Sequence, residues 1–348
     1  MKLSGFGTKK NFARLCSMMN LDQLILYGMK FGGGTIRIVT YHRVLDRFDP
    51  ETYPFDEELI DATTKEFRTQ LRYLSENYDV ISFNELIECV NDNRKLPNKT
   101  VLITFDDGFR DNYDHAFPII LEYSLPVTML LATDYIGAKN TFWYDKLAFI
   151  LFNTTAQEMN LKESGLHYNL RCMKQERRAV FRKILKYLSR VDDDTRLATL
   201  DEIDGIYGDI YDNLSPEIKA LSQPLTWEQV KEMHAAGVAI GSHTKSHSFL
   251  SRLNNVQLQE ELVGSKKKIE GETGAIVSVI AYPNGQKKDF NERVKAAAKE
   301  AGYSLGLSYI NGVNKLKELD CYALKRLHVS PSHDNSVFKM ALSLPLIF

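Results

Sequence analysis

The spacing of apolar residues along the chain alternates between two periods. Short runs of β-branched and other apolar residues, typical of buried strands, are separated by segments in which apolar residues recur every three or four positions, as in amphipathic helices. Such runs include Thr35 to Tyr41, Lys99 to Ile103 and Val238 to Ser242. We count about eight predicted strands, nearly all separated by helices. This order predicts an α/β fold with a parallel sheet or barrel.

One long stretch interrupts this order. Residues 36–134 and 226–330 carry the alternation of strands and helices, whereas residues 135–225 are rich in charge, have helical periodicity and lack strong strand signals. We therefore predict a single domain over 1–348, with a core formed by the first two stretches and a helical insertion over the third. Residues 1–34 are predicted to be an N-terminal helical extension.

Composition and charge narrow the classes of function. The chain is 44% hydrophobic and 26% charged, and its formal net charge of -1 gives no reason to expect nucleic-acid binding. Four scattered cysteines without a C-x-x-C pair are typical of a reducing compartment. No stretch has the length of a signal peptide core or a transmembrane segment. We expect a cytoplasmic protein, with peripheral contact at the inner face of the membrane open to the basic N-terminal helix.

Polar side chains stand at the carboxyl ends of several predicted strands. These are His42, the pair Asp106 and Asp107, His243 and Asn284. A βα-barrel collects such ends on one face, where its active sites are built, whereas an open doubly wound sheet gathers a ligand at one switch point. We favour the barrel.

The residue types at these ends are typical of a metal site. Asp106 and Asp107 should point in different directions along a strand, so one can bind a metal while the other holds a proton. A plain helix N-cap is the alternative for this pair. His243 and His247 are four residues apart, and imidazole with carboxylate is the ligand chemistry of zinc. Together the two clusters favour a metal site.

These motifs resemble those of the polysaccharide deacetylases of carbohydrate esterase family 4, the NodB-homology family. The T-F-D-D-G segment at 104–108 matches the first motif, and 243–247 matches H-[ST]-x-x-H. Residues 281–285 resemble the third motif, usually R-x-P-Y. The resemblance implies a distorted (β/α) barrel and metal-dependent hydrolysis of N-acetyl groups from N-acetylated sugars in bacterial surface-polysaccharide metabolism.

The resemblance also implies a role for each matching residue. Asp107, His243 and His247 would hold the metal, most simply Zn²⁺, with Co²⁺ or Ni²⁺ able to substitute. Asp106 would be the general base. The backbone N–H at Asn284 would stabilise the oxyanion together with the metal.

Two departures from the family pattern leave positions to be filled. Ala281 stands where the family often has an arginine that orients the base. Arg326, on the last predicted strand, is the candidate replacement, with a surface salt bridge as its alternative. The general acid is also not obvious. The segment around His42 resembles the poly-N-acetylglucosamine deacetylase branch, whose acid histidine comes from an early strand. His328 is the other candidate for the general acid. The alternative for His42 is a structural hydrogen bond.

Two further expectations concern substrate contacts and the reaction. Trp227 is a candidate for stacking on a sugar ring, although such aromatics more often anchor a segment to the core. The insertion is expected to shape substrate access and to take no part in the chemistry. Within the enzyme class, an O-acetyl esterase is the alternative. Outside it, the alternative is an inactive carbohydrate-binding relative, which the intact set of motif residues argues against.

Overall fold

A computed structural model of the chain describes residues 34–162, 164–171, 173–330 and 335–345, preceded by 11–16, 19, 21, 24, 25 and 27. The strands in this part of the chain are β1 (Thr35–Tyr41), β2 (Arg43–Leu45), β3 (Ile60–Thr63), β4 (Asp79–Val80), β5 (Thr100–Phe105), β6 (Thr128–Leu131), β7 (Glu158–Leu161), β8 (Leu166–Asn169), β9 (Ala239–Ser242), β10 (Val279–Ala281), β11 (Leu305–Asn311), β12 (Asn314–Lys315) and β13 (Leu324–His328). The α-helices are Thr64–Asn77, Phe83–Asn91, Phe117–Tyr123, Trp143–Asn153, Lys174–Leu188, Asp193–Tyr207, Asp209–Asp212, Pro216–Ala220, Trp227–Ala235, Asn255–Gln259, Ser265–Thr273, Glu292–Glu300 and Asn335–Ser343.

Seven parallel strands close into a barrel in the order β1-β13-β11-β10-β9-β6-β5, and β5 pairs in turn with β1. The closing ladder joins five residue pairs, from Arg37 with Val101 to Tyr41 with Phe105. The predicted (β/α) barrel is therefore confirmed. The ring has seven strands and not the eight we counted, because the predicted strand near Val80 is the two-residue β4, which lies outside the ring beside the start of β5.

Alternation along the strands divides the apolar side chains between two layers. Ile36 and Ile38 of β1 pack with Leu102 and Leu324 of neighbouring barrel strands, in the interior of the ring. Tyr41, at the end of the same strand, belongs to the layer between the barrel and the surrounding helices. Both layers are buried, as expected for parallel strands covered on both faces.

Two helices of the core begin at capping boxes. Thr63 and Glu66 form a capping box at the start of helix Thr64–Asn77, and Thr226 and Gln229 form another at the start of Trp227–Ala235. Each box satisfies two backbone N–H groups that a helix start leaves without a partner. These caps fix where each helix returns across the outside of the barrel.

The segment between β6 and β9 is less uniformly helical than predicted. Besides its helices it contains the antiparallel hairpin of β7 and β8. The prediction missed this hairpin because only Met159 and Leu161 of its first strand are buried, so the period-two pattern is too short to recognise. The helices pack on β7 and on one another in a small apolar core of their own.

The described part of the N-terminal extension is helical over residues 11–16. Ala13 and Cys16 are buried there against Val337 and Met340 of helix Asn335–Ser343. The prediction for residues 1–10 lies outside the described residues. Within the described ranges, no helix is both long and apolar enough to span a bilayer; the cytoplasmic location stays a prediction.

Candidate active site

The carboxyl ends of the barrel strands open into a cavity of about 290 Å³. Helices of the segment between β6 and β9 form the opposite wall. The predicted site residues that line this cavity are His42, Asp106, Asp107, His243, His247, Asn284 and Arg326.

A strained turn after β5 separates the two neighbouring carboxylates. The backbone N–H of Asp106 continues the ladder by donating to the carbonyl of Tyr41 at 2.8 Å. Asp107 then adopts the left-handed conformation with φ of 71°, and Gly108 follows with φ of 92°. Glycine is favoured at 108 because its φ strains other residues and because a Cβ there would lie 2.8 Å from Leu131 Cδ2. The turn therefore sends Asp106 and Asp107 to different partners.

Asp107 lies between two imidazoles. The Nε2 atoms of His243 and His247 are each 3.4 Å from Asp107 Oδ1, and the three donor atoms lie within 4.8 Å of one another. Asp107 Oδ1 is buried and has no hydrogen-bond partner among the described residues. His243 Nδ1 lies 2.9 Å from the carbonyl oxygen of Ala281, which leaves Nε2 as the free lone pair. One carboxylate and two imidazoles converging on one point fit a zinc ion.

Electrostatics keep these groups in the protonation states that a metal requires. Burial lowers the pKa of His247 to about 3, so its imidazole is neutral. Burial alone would raise the pKa of Asp107, but the neighbouring histidines His243 and His247 outweigh it and hold the pKa below its usual range. His247 thus presents a neutral imidazole and Asp107 an ionised carboxylate.

The loop that carries the two histidines is held from the barrel side by Glu261. Its carboxylate accepts from the backbone N–H groups of Lys245 at 2.7 Å and Ser246 at 3.0 Å, and from Ser246 Oγ at 2.7 Å. These bonds are needed because Thr244 and His247 have φ of 70° and 56°, a conformation that non-glycine residues adopt only when their surroundings impose it.

Asp106 forms a bidentate ion pair with Arg326. The two guanidinium nitrogens donate to the two carboxylate oxygens at 2.7 Å each, and Arg326 Nε donates to the Ser308 carbonyl at 2.8 Å. Both side chains are 1% exposed. Burial alone would raise the pKa of Asp106, but the charge of Arg326 outweighs it and lowers the pKa, so the carboxylate is ionised. Arg326 thus contacts both oxygens of Asp106, which is the contact expected of a residue that orients the base.

His42 lies across the cavity and pairs with Asp61. His42 Nδ1 is 3.2 Å from Asp61 Oδ2, and the same oxygen accepts from the backbone N–H of His42. The parallel pairing of β2 with β3 brings Asp61 to this position. Burial alone would lower the pKa of His42, but the hydrogen bond and charge of Asp61, with Asp107 and Asp106, raise it to about 9.

His328 lies behind an aromatic ring. The rings of Tyr309 and His328 stack at 3.6 Å between centroids, and the edge of the Tyr309 ring meets His42 at 5.6 Å. Tyr309 lines the cavity, whereas His328 is not among its lining residues. This arrangement places His42, and not His328, within reach of a bound substrate.

Asn284 follows β10 with φ of 57° and is exposed at the edge of the cavity. Gly285 is packed so closely on Tyr309 that a Cβ would lie 2.4 Å from the Tyr309 backbone nitrogen. The Tyr309 N–H donates to the Gly285 carbonyl at 2.8 Å. The backbone of the third motif, residues 281–285, is therefore fixed to β11 by this contact. The side chain of Asn284 lies at the edge of the cavity.

Trp227, the predicted substrate contact, is not among the residues that line this cavity. It is the first residue of helix Trp227–Ala235, is 9% exposed and packs within the main apolar core. Lys268 lies over its ring at 5.5 Å. The aromatic residues that do line the cavity include Trp143, Tyr144 and Tyr309.

Three residues at the site escaped sequence reasoning. Asp61 lies in the short strand β3, which no apolar run marks, Tyr309 lies near the carboxyl end of β11, and Tyr144 stands in a run of three aromatic residues at 142–144. Only Tyr144 carried a usable signal, because it follows Trp143 directly after a core strand and its loop. The other two are brought to the site by pairing between strands.

The barrel and the group of carboxylates and histidines at its strand ends are the features expected of the polysaccharide deacetylase class. Comparison with known proteins leads to the same class. Residues 93–306, more than half of the chain, match the family model described as polysaccharide deacetylase. The chain therefore belongs to the polysaccharide deacetylase family.

Two curated relatives show how far the similarity extends. A candidate polysaccharide deacetylase of Bacillus subtilis, YxkH, is 26% identical over 275 residues, which cover 79% of this chain and 67% of the relative. The poly-β-1,6-N-acetyl-D-glucosamine N-deacetylase of Staphylococcus epidermidis is 34% identical over 80 residues, only 23% of this chain and 27% of that protein.

Solved structures share the fold over most of the chain. The Streptococcus pyogenes deacetylase PplD, solved with acetate, has a TM-score of 0.55 at 20% identity and covers 86% of this chain and 94% of its own. IcaB from Ammonifex degensii has a TM-score of 0.55 at 19% identity and covers 89% of this chain and 97% of its own.

Proposed function

We propose that the protein is a metal-dependent N-deacetylase, which removes N-acetyl groups from an N-acetylated sugar in bacterial surface-polysaccharide metabolism. The observation that carries the proposal is the cavity in which the Asp106–Arg326 pair, the Asp107–His243–His247 group and His42 meet. The name of the Staphylococcus epidermidis relative supports an amide on N-acetylglucosamine as the substrate class.

Asp107, His243 and His247 would hold the metal ion, with zinc favoured by the donor set and cobalt or nickel able to substitute. The ion would polarise the acetyl carbonyl and lower the pKa of a water molecule. The remaining steps belong to side chains of the protein.

Asp106 is placed to act as general base. Its carboxylate is ionised beside Arg326 and takes a proton from the water that attacks the acetyl carbon. Arg326 holds both carboxylate oxygens and so fixes the direction from which the proton is taken. The backbone N–H at Asn284, at the cavity edge, is proposed to donate to the oxyanion that forms.

His42 is placed to act as general acid. Asp61 binds its Nδ1, so the proton on Nε2 is available to the nitrogen that leaves when the carbon–nitrogen bond breaks. The products are acetate and the free amino sugar.

Acetate release tests the proposal directly. The zinc-loaded protein should release acetate from N-acetylglucosamine oligomers, and Asp106→Asn should not. Hydrolysis of aryl acetate esters and O-acetylated sugars without any amide hydrolysis would identify an O-acetyl esterase. Saccharide binding without acetate release from any substrate would identify an inactive carbohydrate-binding relative.

A further inference from the structure

Helix Trp143–Asn153 of the insertion begins against the loop that carries His247. The indole Nε1–H of Trp143 donates to the backbone carbonyl of His247 at 3.4 Å. The ring of the next residue, Tyr144, lies 4.8 Å from the His247 ring, tilted by 53°. Two consecutive side chains of the insertion therefore contact one proposed metal ligand.

The Tyr144 side chain lines the same cavity as a second proposed ligand, Asp107. Tyr144 is 7% exposed, and burial together with the charge of Asp107 raises the pKa of its phenol. Neither the Tyr144 hydroxyl nor Asp107 Oδ1 has a hydrogen-bond partner among the described residues. A buried polar atom without a hydrogen-bond partner is energetically costly. The Tyr144 phenol can donate to the Asp107 carboxylate, so we expect the two groups to pair when the metal site is complete.

Arg196 fixes the Trp143 ring from behind. Its guanidinium lies 5.4 Å from the ring centroid, and its Nη2 donates to Ser248 Oγ at 2.8 Å. Arg196 is 2% exposed and pairs with Asp193 at 2.7 Å, so its position is set by buried contacts. The insertion thus reaches the histidine loop at residues 247 and 248 as one connected network.

Glu261 and the insertion both hold the histidine loop. Glu261 bonds to Lys245 and Ser246, whereas Trp143 and Arg196 donate hydrogen bonds to His247 and Ser248. The Tyr135 hydroxyl of the insertion also donates to the Ser246 carbonyl at 3.4 Å. His247 has the left-handed φ of 56°. A residue in that conformation keeps its place only if contacts impose it, and the insertion supplies those from Trp143 and Tyr144.

We propose that Trp143 and Tyr144 are positioning residues of the metal centre, Trp143 through the backbone of His247 and Tyr144 through the carboxylate of Asp107. The inference rests on the proposed function, since it presumes that these ligands bind a metal. It replaces the expectation that the insertion takes no part in the chemistry. Outer partners of this kind orient ligands and tune metal affinity.

Zinc affinity, measured by competition with a chromogenic chelator, tests the inference without reference to turnover. Trp143→Phe removes the indole N–H, and Tyr144→Phe removes the hydroxyl. Each should weaken zinc binding by about 10- to 100-fold and change the visible absorption of the cobalt-substituted protein. Trp227→Phe and Tyr211→Phe are matched controls, because Trp227 lies in the main core and the Tyr211 hydroxyl lies 3.3 Å from Ser222 Oγ. Both controls should keep the affinity of the unaltered protein.

Melting temperatures separate positioning from a structural role. In a positioning role the variants lose part of the stabilisation that zinc adds, whereas the metal-free proteins melt alike. Arg196→Lys, which keeps the charge but not the planar stacking, should weaken zinc binding in the same direction if Trp143→Phe fails to fold. Unchanged zinc affinity and cobalt spectra, or equal losses in the metal-free and zinc forms, would overturn the inference. If the unaltered protein and Asp107→Asn bind zinc equally, the proposed metal centre itself fails.

Discussion

At the scale of single residues, the site depends on giving two adjacent carboxylates opposite surroundings. Asp106 is paired with a guanidinium on both oxygens, and Asp107 lies between two imidazoles, with no hydrogen-bond partner for its Oδ1 in the described part of the chain. Both pKa values are lowered, but by different neighbours. This difference in partners, and not a difference in chemical type, assigns the proposed roles.

Replacing each carboxylate by its amide should separate those roles. Asp106→Asn should keep its zinc and lose kcat by at least about 10²-fold, because the amide cannot accept the proton. Asp107→Asn should lose zinc, since a neutral amide oxygen is a weaker ligand than a carboxylate. Metal analysis and acetate release measure both. Full zinc in Asp107→Asn with loss of zinc in Asp106→Asn would mean that the two roles are reversed.

His42→Ala tests the general acid. Amide turnover should fall by about 10²-fold or more, with zinc content unchanged, because the leaving amine needs a proton. The loss should be smaller for aryl acetate esters, whose leaving groups depart without one. His328→Ala is the comparison, because His328 stacks on the far side of Tyr309. Near-normal amide turnover in His42→Ala with collapse in His328→Ala would move the acid to β13.

Asp61→Asn tests the source of the raised pKa of His42. The acid form of His42 is present below its pKa of about 9 and is lost above it, so amide kcat should decline as the pH rises through that value. Asparagine keeps an acceptor but removes the negative charge, and burial then lowers the pKa of His42. The alkaline limb of the kcat profile should move to lower pH. A limb that stays in place would exclude Asp61 as the cause.

At the scale of elements, the turns after the strands do more to build the site than the strands themselves. Asp107, His247 and Asn284 all have positive φ and follow β5, β9 and β10. Each turn is held by a specific contact, as the Glu261 bonds hold the histidine loop. Backbone strain is thus concentrated where side chains must converge.

Gly108→Ala measures how much the turn after β5 depends on its glycine. With φ of 92° and a Cβ that would lie 2.8 Å from Leu131 and 2.9 Å from Ile136, alanine should lower the free energy of unfolding by about 1–3 kcal/mol. Zinc affinity should also fall, because Asp107 is the adjacent residue. Gly205→Ala, in a helix with open space around its Cβ, is the control and should be neutral or stabilising. Denaturant unfolding with and without zinc measures both effects, and equal behaviour of the two variants would contradict the role assigned to the turn.

Sequence patterns could predict the elements that have strong local signals. β1 spans the predicted Thr35 to Tyr41. The capping boxes at Thr63 and Thr226 are also local sequence signals, and each stands at the start of a helix. The hairpin of β7 and β8 and the position of Asp61 could not be predicted, because their burial and pairing come from distant parts of the chain. The motifs marked strand ends, but only the closed barrel determines which of these ends share one cavity. The location of Trp227 could not be predicted for the same reason, because an aromatic residue at the start of a helix does not indicate which way the helix faces.

At the scale of the whole molecule, the candidate metal ligands and the proposed acid come from three strands of the ring, two of which, β1 and β5, are neighbours. Asp107 follows β5, His243 follows β9, and His42 follows β1. The apolar interior lies beneath them and is formed mainly by side chains of the strands, with Phe83 and Leu86 of helix Phe83–Asn91 packed against them. Because none of the candidate site residues belongs to this interior, we expect the barrel to fold without a metal, which would add stability to a structure already formed.

Metal removal should test this separation. Chelation should lower the melting temperature without abolishing the folded state, and zinc at about 100 times its dissociation constant should restore about 2.7 kcal/mol. Circular dichroism during thermal unfolding measures both. Asp107→Asn is the control, since added zinc should leave its melting temperature unchanged. Loss of secondary structure on chelation at low temperature would mean that the metal is required for folding.

The ring closes through β1, which pairs with β5 on one side and with β13 on the other. Asp106 and Arg326, on those two partners, are 220 residues apart along the chain. During translation, Asp106, the proposed base, is therefore synthesised long before Arg326, whose guanidinium keeps it ionised. Until then, burial without a counter-charge would leave the carboxyl protonated. We therefore expect chains truncated before Arg326 to release no acetate, because Asp106 would lack the guanidinium that pairs with it.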